Sequence, residues 1–221
     1  MKKTLLLFLL CLLHLAAFGQ EIHHTYDIHH TLVENKGQWP DNVLFYSEQP
    51  GGNLWIEKGA LLYDLRDYSK LQEEHVSAKI SSKPEARLSL IHVSFEGADF
   101  SQPIQKEDSS SNYYNYFIGN DPTKWASNCR GFHHITIPKI YPSIDLHFFQ
   151  EESKTKYEYH INKGGSVKSL KLKALGQEKV QLSHDGNLIF QTQQGNIVEE
   201  KPYAYQIKNG RIVEIPCSFV L

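Results

Sequence analysis

From Leu32 onward the chain is written in short apolar runs that alternate with polar residues and are cut every few positions by Gly, Pro, Asn or Asp. That pattern leaves room for little except antiparallel sheet, because strict alternation puts one set of side chains on each face of a strand. Ile144, Leu146 and Phe148 alternate with Asp145 and His147, and Tyr157, Tyr159 and Ile161 alternate with Glu158 and His160. Leu170, Leu172 and Ala174 alternate with Lys171 and Lys173 in the same way. Each run has one apolar and one wet face, as in a half-buried antiparallel strand. Leu54 and Ile56, then Leu61, Tyr63 and Leu65, flank Lys58-Gly59 and predict a hairpin. Asp185-Gly186, Gln194-Gly195 and Asn209-Gly210 punctuate the tail; Asp-Gly and Asn-Gly suit tight hairpin turns, whose central residues need positive φ. No run of ten or more residues carries a clear 3.6-residue period, which disfavours α/β folds. The expected fold class is all-β, an antiparallel β-sandwich-like domain with a C-terminal β-meander.

The first 19 residues read as an export signal. Lys2 and Lys3 give the positive start, Leu5 to Leu15 give an apolar stretch broken only by Cys11 and His14, and Ala17-Phe18-Gly19 offers small residues for cleavage before Gln20. Leu10 stands before Cys11 where a lipoprotein needs a small residue, so Cys11 belongs to the apolar stretch. No later run reaches the length of a membrane-spanning helix. Residues 20–31, with His23, His24, His29 and His30, form a flexible His-rich lead-in, and residues 32–221 form the β-rich domain. Within it, residues 67–87 are polar and aperiodic, a surface insertion. Without Lys2 and Lys3 the chain carries 21 bases against 25 acids. That balance lacks the basic footprint of a nucleic-acid binder.

Each chemistry-bearing residue has a structural role to set beside the functional one. Cys129 and Cys217 sit in apolar alternations, where a buried disulfide and two core thiols fit equally well. The paired histidines of the lead-in have nothing to preorganise them as a metal site, and His133 and His134 point to opposite strand faces, so no metal or cofactor is assigned. Asp121, Asp145 and Glu158 are the carboxylates a hydrolase would draw on. Asp121 before Pro122 reads as turn chemistry, and Asp145 as an outward group or a hydrogen-bonding partner at a strand start. No G-x-S-x-G, H-E-x-x-H, P-loop, G-x-G-x-x-G or C-x-x-C occurs in the 221 residues. Asp185-Gly186-Asn187 lacks the further oxygens of a calcium loop.

Aromatic residues are the remaining candidates. Tyr113, Tyr114, Tyr116 and Phe117 are followed closely by Trp125, with Trp39 and Trp55 beside turn residues. Trp39, Tyr114, Tyr116 and Trp125 compose the expected ligand-binding set, a stacking surface for sugars or protein. Tyr114 and Tyr116 share one strand face while Tyr113 and Phe117 share the other, so core packing accounts for at least one face.

Several segments taken in order resemble a known family, the β-rich N-terminal domain of large exported Bacteroidota surface proteins. They are Val33-Glu34-Asn35-Lys36-Gly37-Gln38-Trp39-Pro40, Asn112 to Pro122 with Lys124-Trp125, Tyr141-Pro142-Ser143-Ile144-Asp145-Leu146, Lys156-Tyr157-Glu158-Tyr159 and Pro202-Tyr203-Ala204-Tyr205-Gln206. Where the family has Tyr-Pro-Gly-Ile-Asp, this chain has Ser143, a residue disfavoured at a positive-φ turn position. The resemblance implies a domain preceding SBBP-type propeller repeats, PKD-like domains or gliding-motility and type IX sorting domains. It also implies strands beyond Leu221, so that the sequence is expected to be a fragment or a truncated gene. It brings no catalytic residues. The expected function is a non-catalytic structural or adhesive module of an exported protein. The expected partners are downstream domains, glycans or surface proteins, and the chain is placed at the cell surface if a sorting domain follows and in the periplasm otherwise. A carbohydrate-binding module is the alternative and a secreted hydrolase the third reading.

Overall fold

The computed structural model describes residues 31–67, 87–151 and 154–221. The expected export segment, the expected His-rich lead-in before Thr31 and all but the end residues of the expected insertion lie outside the described residues.

Fifteen strands follow one another among the described residues: β1 (Leu32–Glu34), β2 (Val43–Gln49), β3 (Gly52–Glu57), β4 (Ala60–Asp67), β5 (Arg87–Phe95), β6 (Gln105–Tyr116), β7 (Ala126–Tyr141), β8 (Ile144–Glu151), β9 (Lys154–Ile161), β10 (Leu172–Leu175), β11 (Lys179–Leu182), β12 (Leu188–Thr192), β13 (Gly195–Glu199), β14 (Ala204–Lys208) and β15 (Arg211–Ile215). The main sheet has ten strands in the order β10-β5-β4-β3-β2-β1-β7-β8-β9, with β6 pairing β7 off that path. It is antiparallel and curled into a half-barrel. A three-stranded sheet (β11-β12-β13) and a two-stranded one (β14-β15) complete the chain. The all-β, antiparallel expectation therefore holds, while the ladders describe one curled sheet with small C-terminal sheets and do not show a two-layer sandwich.

Alternation decides which side each residue takes. Leu32, Phe45, Leu54, Ile56 and Leu61 enter the main core with Ile91, Ile135, Ile137, Ile144, Leu146 and Phe148. Leu188 and Phe190 of β12 join the same cluster, so the three-stranded sheet packs against the apolar face of the half-barrel. The intervening residues Val33, Tyr46 and Trp55 face the other way, where Val33, Ala126 and Cys129 form a small second cluster. Burying about twenty large side chains at roughly 1.5–3 kcal/mol each is what offsets the ordering of so many strands.

The turns follow the chemistry read from the sequence. Glu57 pairs with Ala60 across Lys58-Gly59, and Lys208 pairs with Arg211 across Asn209-Gly210, whose φ values are 52° and 73°. Tyr141 pairs with Ile144 across Pro142-Ser143, and Ser143 sits at φ 59°, the position where glycine was expected. Farther back in β7, Pro138 interrupts the ladder and Lys139 adopts φ 53° at a register shift. The Lys139 N–H donates to Asp145 Oδ1 at 2.7 Å, so Asp145 serves the strand-start role.

Candidate functional site

The loop between β1 and β2 is organised by one side chain. Asn35 Nδ2 donates to the carbonyls of Pro40 (3.0 Å) and Val43 (2.8 Å), while its Oδ1 accepts from the N–H groups of Gly37 (2.9 Å) and Trp39 (3.3 Å). These side-chain bonds to the loop's own backbone fix where Trp39 points. Lys36 Nζ ties the loop to the Ser127 carbonyl at 3.2 Å.

Trp39 is thereby set into a group of rings on the outer face of the sheet. Its centroid lies 5.4 Å from Tyr46, 5.4 Å from Trp55 and 5.1 Å from Tyr116, and Tyr114 follows at 6.4 Å from Tyr116. Tyr46 and Trp55 are a cross-strand pair, 4.7 Å apart. The Trp39 contacts are tilted or edge-on, at 46°, 89° and 65°. Rings inclined to one another and half-buried form a packed cluster and no flat stacking platform. Tyr46 Oη donates to Asn53 Oδ1 (2.7 Å), and Asn53 Nδ2 donates to Asp64 (3.2 Å). Asp64 is buried and also receives Arg66 through Nε (2.7 Å) and Nη2 (2.6 Å). Burial pushes its carboxyl up, and the Arg66 and Asn53 hydrogen bonds outweigh that and hold it below the ordinary value.

Trp125, the fourth predicted residue, is placed elsewhere. Strands β6 and β7 extend as a two-stranded arm whose connecting residues include the turn Pro122–Lys124, capped by Asp121, which accepts from Thr123 N at 3.0 Å. Tyr114 and Tyr116 look into the Trp39 cluster, whereas Tyr113, Phe117, Ile118 and Trp125 are 59%, 60%, 76% and 43% exposed. Phe117 and Trp125 contact edge to face at 5.8 Å, and Trp125 Nε1 donates to the Gly119 carbonyl at 3.3 Å. Arg130 pairs with Tyr113 across the arm. The sequence set thus divides into three packed residues and one exposed tip.

Both cysteines are free thiols, Cys129 buried and Cys217 half-buried. Burial raises the Cys129 thiol above its ordinary value. It lies in the second cluster, apart from Ile135 and Ile137, with which it shares sequence parity.

A further cluster escaped the sequence reading. Glu199 on β13 accepts from Tyr63 Oη (2.8 Å) on β4 and from Tyr157 Oη (2.9 Å) on β9, so the small sheet is clasped to two strands of the half-barrel. Tyr157 and Tyr159 meet edge-on at 5.9 Å, and the buried hydroxyls of Tyr159 and Tyr141 have no hydrogen-bond partner among the described residues. Burial raises Glu199 above the ordinary carboxylate value although both phenols pull it down. Tyr63 and Tyr157 are pushed far up, chiefly by burial and then by the Glu199 charge. Tyr157 and Tyr159 alternating with Glu158 and His160 was the available signal; Glu199, in a run next to Glu200, gave none.

A cleft of about 410 Å³ lies beside the Asn35 loop, lined by Glu34, Asp41, Val43, Phe45, Lys58 and Lys106 among others. Its most buried charges are already engaged, since Lys106 Nζ lies 2.7 Å from Glu34 Oε2 and 5.4 Å over the Phe132 ring. Asp121 lies in a turn, Asp145 at the start of β8 and Glu158 on the adjoining β9, each with its own hydrogen-bond partner. Among the described residues no three His, Cys, Asp or Glu side chains converge to hold a metal ion.

A family model described as a domain of unknown function (DUF7948) matches residues 32–221. No curated protein and no solved structure matches the chain.

Proposed function

The chain belongs to the DUF7948 family of domains of unknown function, and from that premise we propose that it is a non-catalytic structural and adhesive module of an exported surface protein. The observation that carries this reading is the tip of the β6–β7 arm, where Phe117 and Trp125 pack on one another while both stay exposed and Ile118 beside Phe117 is more exposed still. Contiguous exposed apolar surface rimmed by polar groups is costly in water and marks a contact site. Phe117 and Trp125 brace one another, so the surface is presented in a fixed shape at little entropic cost on binding. The Asn35 loop and the Trp39 cluster support the arm from below. The export signal and the resemblance to N-terminal domains of surface proteins supply the setting.

A narrower reading is that the ligand is a glycan. It is favoured by Trp125, whose indole N–H is occupied by the Gly119 carbonyl, leaving ring surface as what it offers. The test is binding of the chain from Gln20 onward to glycan arrays and to immobilised cell-surface protein, beside the variants W125A and F117S. The expected result is loss of binding in both variants with an unchanged melting temperature, since both rings are exposed. Undiminished binding by folded variants overturns the assignment of the tip, and turnover of an arrayed substrate overturns the non-catalytic reading.

A further inference from the structure

The outward face of β9 carries Glu158 and His160, and the register sets Glu158 opposite His147 and His160 opposite Asp145 on β8. His147 and His160 are diagonal neighbours whose rings are in close contact, with centroids 3.6 Å apart and planes tilted by 31°. Neither ring is loose. His160 Nε2 is 2.6 Å from Glu158 Oε1, and His147 Nδ1 is 2.8 Å from Thr136 Oγ1 on β7. The charged groups facing His147 are Glu107 of β6, Asp145 of its own strand, and Glu158 and His160 of β9. Among the described residues β9 is the last strand of the main sheet and ladders to β8, while its far edge is tied to β2 at Thr155, whose N–H donates to Gln49 Oε1 at 3.1 Å.

We propose that the stacked His147–His160 pair is an acid-sensitive latch on edge strand β9, closed while the rings share at most one proton and loosened when both are charged. A proton on His160 makes an ion pair with Glu158, whose Oε1 lies 2.6 Å from Nε2. A second proton on His147 sets two like charges in close contact, and at this separation the repulsion is several times RT even at an effective dielectric constant of about 20. Burial first, and His160 second, hold His147 below its ordinary value, and the pull of Glu158, Asp145 and Glu107 does not make up the difference. A histidine depressed in the folded state contributes its full stabilisation above about pH 6.5, the value in the unfolded chain, and loses it as the pH falls through the folded value. Acidification from neutral therefore loosens β9, an edge element whose local opening requires no global unfolding.

Hydrogen exchange of the β9 amides tests this on the chain from Gln20 onward, compared at pH 7.5 and 5.5 after correction for intrinsic exchange. In the wild type the opening equilibrium should rise with acid, approaching about tenfold per pH unit when opening takes up one proton. His160→Phe keeps a flat ring against His147 without its charge and should show a clearly smaller rise, since burial alone then holds His147 down, and His160→Gln serves as the second variant. Glu199 and its phenols are unchanged in these variants, so their own pH response cancels in the comparison. A wild type whose β9 opening rises with acid no more than that of the variants overturns the latch. Protection at pH 7.5 that depends on added nickel ions overturns it as well, in favour of a metal pair.

Discussion

Tyr157→Phe is the sharpest probe of the clasp between the small sheet and the half-barrel. The substitution deletes the hydroxyl 2.9 Å from Glu199 Oε2 and keeps the ring, which packs 6.0 Å from Phe148 and 5.9 Å from Tyr159. A hydrogen bond to a charged group is worth about 1.5–3 kcal/mol and one between neutral groups about 0.5–1.5 kcal/mol. The loss should therefore be about 2 kcal/mol where Glu199 is ionised and about 1 kcal/mol where it is protonated. Because burial raises Glu199 in the folded state, its contribution is fully present below about pH 4.5 and is lost as the pH climbs through the folded value. Tyr157→Phe removes a bond that favours the carboxylate, so it pushes Glu199 higher still and steepens that decline. Urea denaturation followed by tryptophan fluorescence, at pH 4.5 and pH 8, measures both effects. Glu199→Gln should flatten the pH dependence, and Tyr157→Phe in that background should cost no more than a neutral bond. An equal loss at both pH values, or an undiminished loss in the Glu199→Gln background, would refute the account.

Two further substitutions test the backbone argument. Ser143→Gly relieves a left-handed position at φ 59° that costs a side-chain-bearing residue about 1–2 kcal/mol, against about 0.5–1 kcal/mol of extra chain entropy for glycine; thermal denaturation should show a net gain of about 0.5 kcal/mol. Gly52→Ala should instead cost about 3 kcal/mol or more, because a Cβ there runs into the backbone carbonyl of Asp64, and wild-type stability in that variant would refute the close approach.

What was legible in the sequence is what alternation and turn chemistry encode locally. The β3–β4 hairpin, β8, β9 and the Asn-Gly hairpin all declared themselves, because each has one buried face or turns whose residues suit positive φ. β6 did not. Its first half, Gln105 to Asn112, is polar and largely exposed; among the described residues it ladders to β7 alone, and Lys106 reaches over Phe132 to pair with Glu34. Only an edge strand tolerates that composition. The sharing of faces also failed where the ladder is irregular: Cys129 and Ile135 have the same parity, yet they end in different clusters. The candidate site was half legible. Tyr114 and Tyr116 were separable from Tyr113 and Phe117 by parity, and the structure packs the first pair into the Trp39 cluster and exposes the second. That Trp39 packs with Trp55 and Tyr116 required the Asn35 loop to fold back, which is a matter of tertiary closure.

The same period of two that makes β9 a strand also makes it a balance between opposed proton responses. Inward, Tyr157 reaches Glu199, whose raised carboxyl gives the clasp its greatest strength in acid. Outward, His160 stacks on His147, whose depressed ring gives the latch its greatest strength above about pH 6.5. Protonation thus tightens one face of the strand while it loosens the other. Removing either partner should tip the balance towards the other response: Glu199→Gln should make β9 more acid-labile, and His160→Phe, which leaves burial alone holding His147 down, should make it less so. A strand with a single ladder neighbour is where such small, opposite contributions are felt, because no second row of backbone hydrogen bonds masks them.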